Sequence, residues 1–183
     1  MKKVRTFINL TVLAAAMAVA ACSADESNTY SAQLAKIEQY VDKEVEKDNT
    51  IYWTSNEGTY RLTRKDGTGD GLQAGDSLYF IYTGYNFSSY ELRESNIFVT
   101  NDSTVNWAIS DSTLFKTSPM VIELGEDGLL EGLRLGLAGI KAGEKCEVIF
   151  PSSLGMGKQE IGTIPANSPL AYKIEAKKII KKK

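Results

Sequence analysis

For chemistry, this chain offers carboxylates, hydroxyls, two cysteines and no imidazole, since none of its 183 residues is histidine. That absence excludes a Ser-His-Asp triad, a Cys-His pair and any imidazole general base. It equally excludes zinc, copper or haem iron held by histidine. Cys22 and Cys146 are too few for a four-cysteine zinc site or an iron–sulfur cluster. Asp66 to Gly71 opens in the manner of a calcium loop. Its twelfth position is Ser77 instead of Glu, however, and no helix pattern follows. Acidic residues are plentiful, but no local pair has a spacing that marks acid–base work. The expectation is no metal and no cofactor, with any activity carried by shape, hydroxyls or backbone.

The elements that must position these groups begin after an export segment. Lys2, Lys3 and Arg5 precede an uncharged, mostly apolar run from Phe7 to Ala21. A membrane span needs about 20 apolar residues, and this run is shorter. It ends Val19-Ala20-Ala21-Cys22, which resembles the lipobox of bacterial, Bacteroidetes-like lipoproteins. The resemblance implies cleavage after residue 21, lipidation of Cys22 and a membrane anchor of several acyl chains. Ser23, in place of Asp, implies the outer membrane. Ser23-Ala24-Asp25-Glu26 is similar to the acidic tether of surface lipoproteins, so either the periplasmic face or the cell surface is implied. Cleavage would take the net charge from −2 to −5, which speaks against nucleic acid as a partner. With Cys22 lipidated, Cys146 would stand alone in a strand pattern, a small buried residue in place of a nucleophile.

Residues 22–30 read as a polar tether. Ser31 reads as an N-cap, and Leu34, Ile37, Val41 and Val45 predict an amphipathic helix over 31–48. That helix either docks on the domain or meets a partner, and docking is the simpler expectation. Strand patterns follow at Thr59–Arg64, Ser77–Phe87, Met120–Leu124, Lys145–Phe150 and Leu170–Ile180. Residues 88–118 read as a long polar connection with isolated aromatics and local structure. A short helix is expected from Asp127 to about Gly139, carrying Leu129, Leu130, Leu133 and Leu137 on one side. Gly132 and Gly136 have a small-xxx-small spacing, but Glu131 and Arg134 exclude a membrane helix. Lys181 to Lys183 read as a solvated tail. The fold class is α+β: a mainly antiparallel sheet with a helix on one face.

One ordered series carries more. Gly67-Thr68-Gly69-Asp70, Gly75-Asp76 and a strand ending Tyr82-Thr83-Gly84 are followed by Met120 to Gly125 and by Leu129-Leu130-Glu131-Gly132-Leu133. Then come Ile140 to Lys145, Phe150-Pro151, Ile164 to Leu170 and Tyr172-Lys173-Ile174-Glu175. Across roughly 59–180 this series resembles the FKBP-type peptidyl-prolyl cis-trans isomerases. The resemblance implies an FKBP-like half-barrel over 59–180, a twisted antiparallel sheet wrapped on a short helix, with the N-terminal helix as an addition. It also implies a proline pocket lined by Tyr82, Phe98, Met120, Leu129, Leu130, Leu133, Met156, Ile164 and Tyr172. In the family, a backbone N–H at the entry to the helix donates to a substrate carbonyl. Phe115 competes with Phe98 for its position, because the 85–118 insertion is longer than usual. Val99 stands where the family has Asp, Leu133 where it has Trp and Met156 where it has Tyr, which argues against macrolide binding.

The implied activity is prolyl isomerisation during folding of exported proteins, on proline-containing polypeptides and without acid–base or metal chemistry. A monomer is expected. A non-catalytic module that binds peptide or a partner through the same cleft is the competing reading. Taken alone, Leu129, Leu133 and Leu137 are ordinary core residues.

Overall fold

The computed structural model describes residues 29–105, 118–125 and 128–183. The export segment, Cys22 and Phe115 lie outside them. Among the described residues, seven strands form one antiparallel sheet: β1 (Tyr52–Asn56), β2 (Thr59–Lys65), β3 (Ser77–Asn86), β4 (Ile97–Thr100), β5 (Met120–Glu123), β6 (Lys145–Phe150) and β7 (Leu170–Ile180). They lie in the order β1-β2-β6-β7-β3-β4, and β5 pairs with the first half of β3. Two helices, α1 (residues 29–47) and α2 (Glu131–Leu137), pack on opposite faces. This is the expected α+β half-barrel with an added N-terminal helix.

Strand alternation sends successive side chains to opposite faces. Cys146, Val148 and Phe150 of β6 join Leu170, Tyr172, Ile174 and Ala176 of β7 in a core with Leu133 and Leu137 of α2. Ile149 and Ala171, from the same two strands, face the other way. They form a second core with Ile37 and Val41 of α1, Tyr60 and Leu62 of β2, and Phe87. The predicted amphipathic helix therefore docks on its own domain. Burial of Cys146 pushes its thiol pKa well above the ordinary value.

The α2 glycines explain a spacing that was unsuited to a membrane. A Cβ on Gly132 would lie 2.2 Å from Phe150 Cγ, and one on Gly136 would lie 2.2 Å from Val148 Cγ1. Small residues one turn apart let the helix lie directly on β6.

Three expectations are corrected. Helix α1 is already formed at residue 29, so Ser31 is an interior residue and not its cap. Tyr30 belongs to that first turn, and its hydroxyl approaches Gly58 at the β1–β2 turn. Helix α2 is shorter than predicted. Leu130 has extended backbone (φ −57°, ψ 142°), so Leu129 and Leu130 pack against the core from the segment before the helix. The C-terminal lysines are not simply solvated. Lys181 Nζ donates to Asp76 Oδ2 (2.9 Å) and Gly71 O (2.6 Å), and the Lys182 N–H donates to Asp76 Oδ1 (3.0 Å). The local structure expected in the 85–118 insertion is a 3-10 turn at Glu94–Asn96 and strand β4, and its Phe87, Tyr90 and Leu92 pack in the α1 core.

Polar contacts reinforce the α1 interface. Arg64 donates to Glu147 through Nε (3.2 Å) and Nη2 (3.0 Å), and to Glu44 of α1 at 2.8 Å. Tyr40 Oη adds a bond to Glu147 Oε2 at 3.1 Å. Glu147 is 4% exposed, so these partners supply what water would otherwise give.

Candidate functional site

Four strands, one helix, the segment before that helix and one loop supply the predicted pocket residues. Tyr82 comes from β3, Phe98 from β4, Met120 from β5 and Tyr172 from β7. Leu133 comes from α2, Leu129 and Leu130 precede it, and Met156 and Ile164 lie in the 151–169 loop. All nine belong to a single apolar cluster. Leu133, Ile164 and Tyr172 are buried, while the other six are partly exposed around them.

Tyr172 is the centre of this arrangement. Phe98 meets it edge-on at 5.8 Å, Phe150 stacks on it at 6.0 Å and 15°, and Tyr82 lies at 6.3 Å. Such offset and edge geometries are the favoured ones for aromatic pairs. Burial raises the pKa of both Tyr82 and Tyr172, so both hydroxyls are neutral at physiological pH. The approach of Phe98 to Tyr172 needs Gly84. A Cβ there would lie 2.9 Å from both Phe98 Cζ and Tyr172 Cε1. The third residue of the Tyr-Thr-Gly run is thus a spacer between two aromatic walls.

Asn101 has a role that its place in the sequence does not announce. Strand β3 changes partner from β5 to β4 between Phe80 and Thr83, which interrupts the ladder beside Tyr82. Asn101 fills the gap. The Tyr82 N–H donates to Asn101 Oδ1 at 2.6 Å, and the Asn101 N–H donates to Tyr82 O at 3.1 Å. Asn101 Nδ2 donates to Phe80 O and Ser118 O, both at 3.2 Å. An amide has both the acceptor and the donors this requires. No periodicity marks such a residue.

A cleft of about 810 Å³, which Tyr82 also lines, is bordered by β2, β3, β6 and β7. Arg64, Glu147, Lys173 and Glu175 give it a mixed charged lining, in contrast to the apolar cluster around Tyr172. Among the described residues, no three His, Cys, Asp or Glu side chains are grouped to hold a metal ion.

One antiparallel sheet wrapped over a short helix, with aromatics at its open edge, defines an FKBP fold. The model of the family described as FKBP-type peptidyl-prolyl cis-trans isomerase matches residues 72–177. Bovine (Bos taurus) peptidyl-prolyl cis-trans isomerase FKBP11 is 33% identical over 102 residues, covering 55% of this chain and 41% of that protein. Mouse (Mus musculus) FK506-binding protein 15 is 29% identical over 113 residues, covering 61% of this chain and 8% of that protein. FkpA from Escherichia coli shares the fold with a TM-score of 0.57 at 24% identity, covering 94% of this chain and 71% of that one. The chain belongs to the FKBP-type peptidyl-prolyl cis-trans isomerase family. It spans less than half the length of these two curated relatives.

Proposed function

We propose that this chain catalyses cis-trans isomerisation of X-Pro bonds in exported polypeptides, using the apolar cluster around Tyr172 as its proline pocket. The observation that carries the reading is the convergence of nine side chains, distant in sequence, on one partly open cluster. Amide rotation is opposed by about 18–20 kcal/mol of resonance. For X-Pro bonds, cis and trans differ by only about 0.5–1 kcal/mol, so catalysis needs only a lower barrier. A twisted amide is less dipolar than a planar one. A dry apolar surface therefore disfavours the planar ground state relative to the transition state. Tyr82, Phe98 and Tyr172 form the aromatic wall, Leu133 and Ile164 the floor, and Met156 an adaptable rim. In this reading, which the family likeness supports, a backbone N–H at Leu129-Leu130 donates to a flanking substrate carbonyl.

The test is isomerisation of prolyl peptides by the purified protein, repeated with Tyr82→Ala and Leu133→Ala. Acceleration by the parent, reduced in both folded variants, is expected. A parent no faster than the uncatalysed reaction refutes isomerase activity, and full activity in both variants refutes the site. Val99 and Leu133, apolar where family members carry Asp and Trp, favour a second reading as a non-catalytic peptide-binding module. That reading predicts proline-peptide binding by the parent without acceleration.

The lipobox-like Val19 to Cys22 supports an outer-membrane location, with Cys22 as the acylated residue. Membrane-fraction recovery and fatty-acid labelling lost in Cys22→Ser test it, and retention of both refutes it.

A further inference from the structure

We infer that Gln33 of α1 is a positioning residue for the loop that carries Met156 and Ile164. Its activity arm rests on the isomerase reading above, while its structural arm does not. Helix α1 lies on the sheet face opposite α2, yet Gln33 is 6% exposed and its amide is spent entirely on the 151–169 loop. The Ser152 N–H donates to Gln33 Oε1 at 2.8 Å, and Gln33 Nε2 donates to Asn167 O at 2.8 Å. The circuit closes within the loop. The Gly157 N–H donates to Ser152 O, and the Asn167 N–H donates to Gly157 O, both at 2.8 Å. Four bonds thus run Gln33–Ser152–Gly157–Asn167–Gln33 and join both ends of the loop to its middle, one residue from Met156.

A side-chain amide offers a donor and an acceptor in one short plane at neutral pH, which is what closing the ring requires. Buried groups left unpaired cost more than a made bond gains, so opening the ring at Gln33 frees the loop. The loop's apolar residues then lose their fixed distance from Tyr172. An added helix on the far face is thereby coupled to the proposed pocket through the Gln33 side chain. Other α1 hydrogen bonds, Tyr40 to Glu147, Arg64 to Glu44 and Trp53 Nε1 to Asp42 at 3.0 Å, reach β6, β2 and β1 and not this loop.

The experiment compares the full protein with Gln33→Ala, Gln33→Glu and, as a control, Tyr40→Phe. Tyr40→Phe weakens the hold on α1 while leaving the loop ring intact. Gln33→Glu keeps the acceptor for Ser152 but places a second acceptor against Asn167 O. Backbone hydrogen exchange at Gly157 and Asn167 is expected to accelerate on the order of tenfold in both Gln33 variants and to stay at the parent rate in Tyr40→Phe. In prolyl-peptide isomerisation, KM should rise several-fold in the Gln33 variants, with a smaller change in kcat. Tyr40→Phe, assayed equally far below its own melting temperature, should keep the parent KM. Parent-like exchange in Gln33→Ala overturns the inference, as does an equal rise in exchange or KM in Tyr40→Phe. Should the parent not accelerate isomerisation, the isomerase reading falls alone and the exchange rates decide the role of Gln33. A Gln33 variant that fails to fold is replaced by Asn167→Gly, which keeps the backbone ring and the positive φ of 57°. Parent-like exchange at Gly157 is then expected, and faster exchange there overturns the ring.

Discussion

Replacing Gly132 with alanine separates two opposing effects whose sizes the structure sets. Alanine favours a helix over glycine by up to about 1 kcal/mol, and less in a first turn. Against this, the new Cβ would sit 2.2, 2.5 and 2.6 Å from Phe150 Cγ, Cδ2 and Cδ1. Ordinary contact begins near 3.4 Å, so helix or ring must retreat by more than 1 Å. Phe150 cannot rotate freely, because it is fully buried and stacked on Tyr172. Overpacking of a filled core typically costs 1–3 kcal/mol, and this overlap belongs at the upper end. The net loss is about 2 kcal/mol. For a chain of this size that lowers Tm by roughly 4–8 °C. Thermal unfolding followed by circular dichroism, with urea midpoints at constant m-value, measures it. Displacing Phe150 also tilts Tyr172, so the variant should lose isomerase activity at temperatures where it remains folded. A Gly132→Ala protein as stable as the parent would refute the claim that these glycines set the helix-to-sheet distance.

Two further outcomes follow from the charged groups. Arg64→Ala leaves Glu147 buried without its bidentate partner and should cost about 3 kcal/mol in a urea titration, with part recovered in the double variant Arg64→Ala, Glu147→Gln. Asp76 accepts from Lys181 Nζ and from the backbone N–H groups of Lys182 and Gln73, which hold its pKa down to about 2. A lowered folded pKa means that the stability it adds is present above the ordinary carboxylate pKa near 3.9 and is lost as pH falls toward 2. Urea midpoints measured from pH 6 to pH 2 should therefore fall less steeply for Asp76→Asn than for the parent.

The parts of the fold legible in the sequence are those whose burial repeats at a short period. Strand β7 is readable because Leu170, Tyr172, Ile174 and Ala176 alternate with the polar Lys173 and Glu175, while Ala171 is buried on the opposite face. The α1 stripe was readable because Ile37 and Val41 recur at helical spacing. Strand β1 escaped because four of its five residues are exposed, so it carries no alternation. Its one signal is the turn to β2, where Glu57 and Gly58 have φ of 48° and 85° in the positive-φ hairpin pattern. Asn-Glu-Gly is a weaker form of that signal than Asn-Gly. The nine residues that gather around Tyr172 were singled out through family likeness, and periodicity alone would leave Leu133 as core. Gln33 and Asn101 were illegible for a different reason. Each acts through a polar side chain on backbone groups, Gln33 at separations of 119 and 134 residues, and nothing local selects them.

The apolar replacements at Val99, Leu133 and Met156 have a kinetic consequence that follows from where they sit. Val99 packs against the same cluster as Phe98, and Leu133 is buried within it, so both positions present apolar groups to the pocket. A hydrogen bond from the pocket to the substrate backbone away from the rotating amide holds planar and twisted forms alike. Its loss raises KM and leaves kcat nearly unchanged. The dry aromatic surface acts on the rotating amide itself, and its loss lowers kcat. The chain should therefore bind short prolyl peptides weakly yet turn them over efficiently once bound. Initial rates across a peptide concentration series test this. Tyr82→Ala and Leu133→Ala should lower kcat, whereas Val99→Asp should change mainly KM. An unchanged kcat in Tyr82→Ala, with a change in KM alone, would show that the aromatic wall holds peptide without acting on the twisting bond.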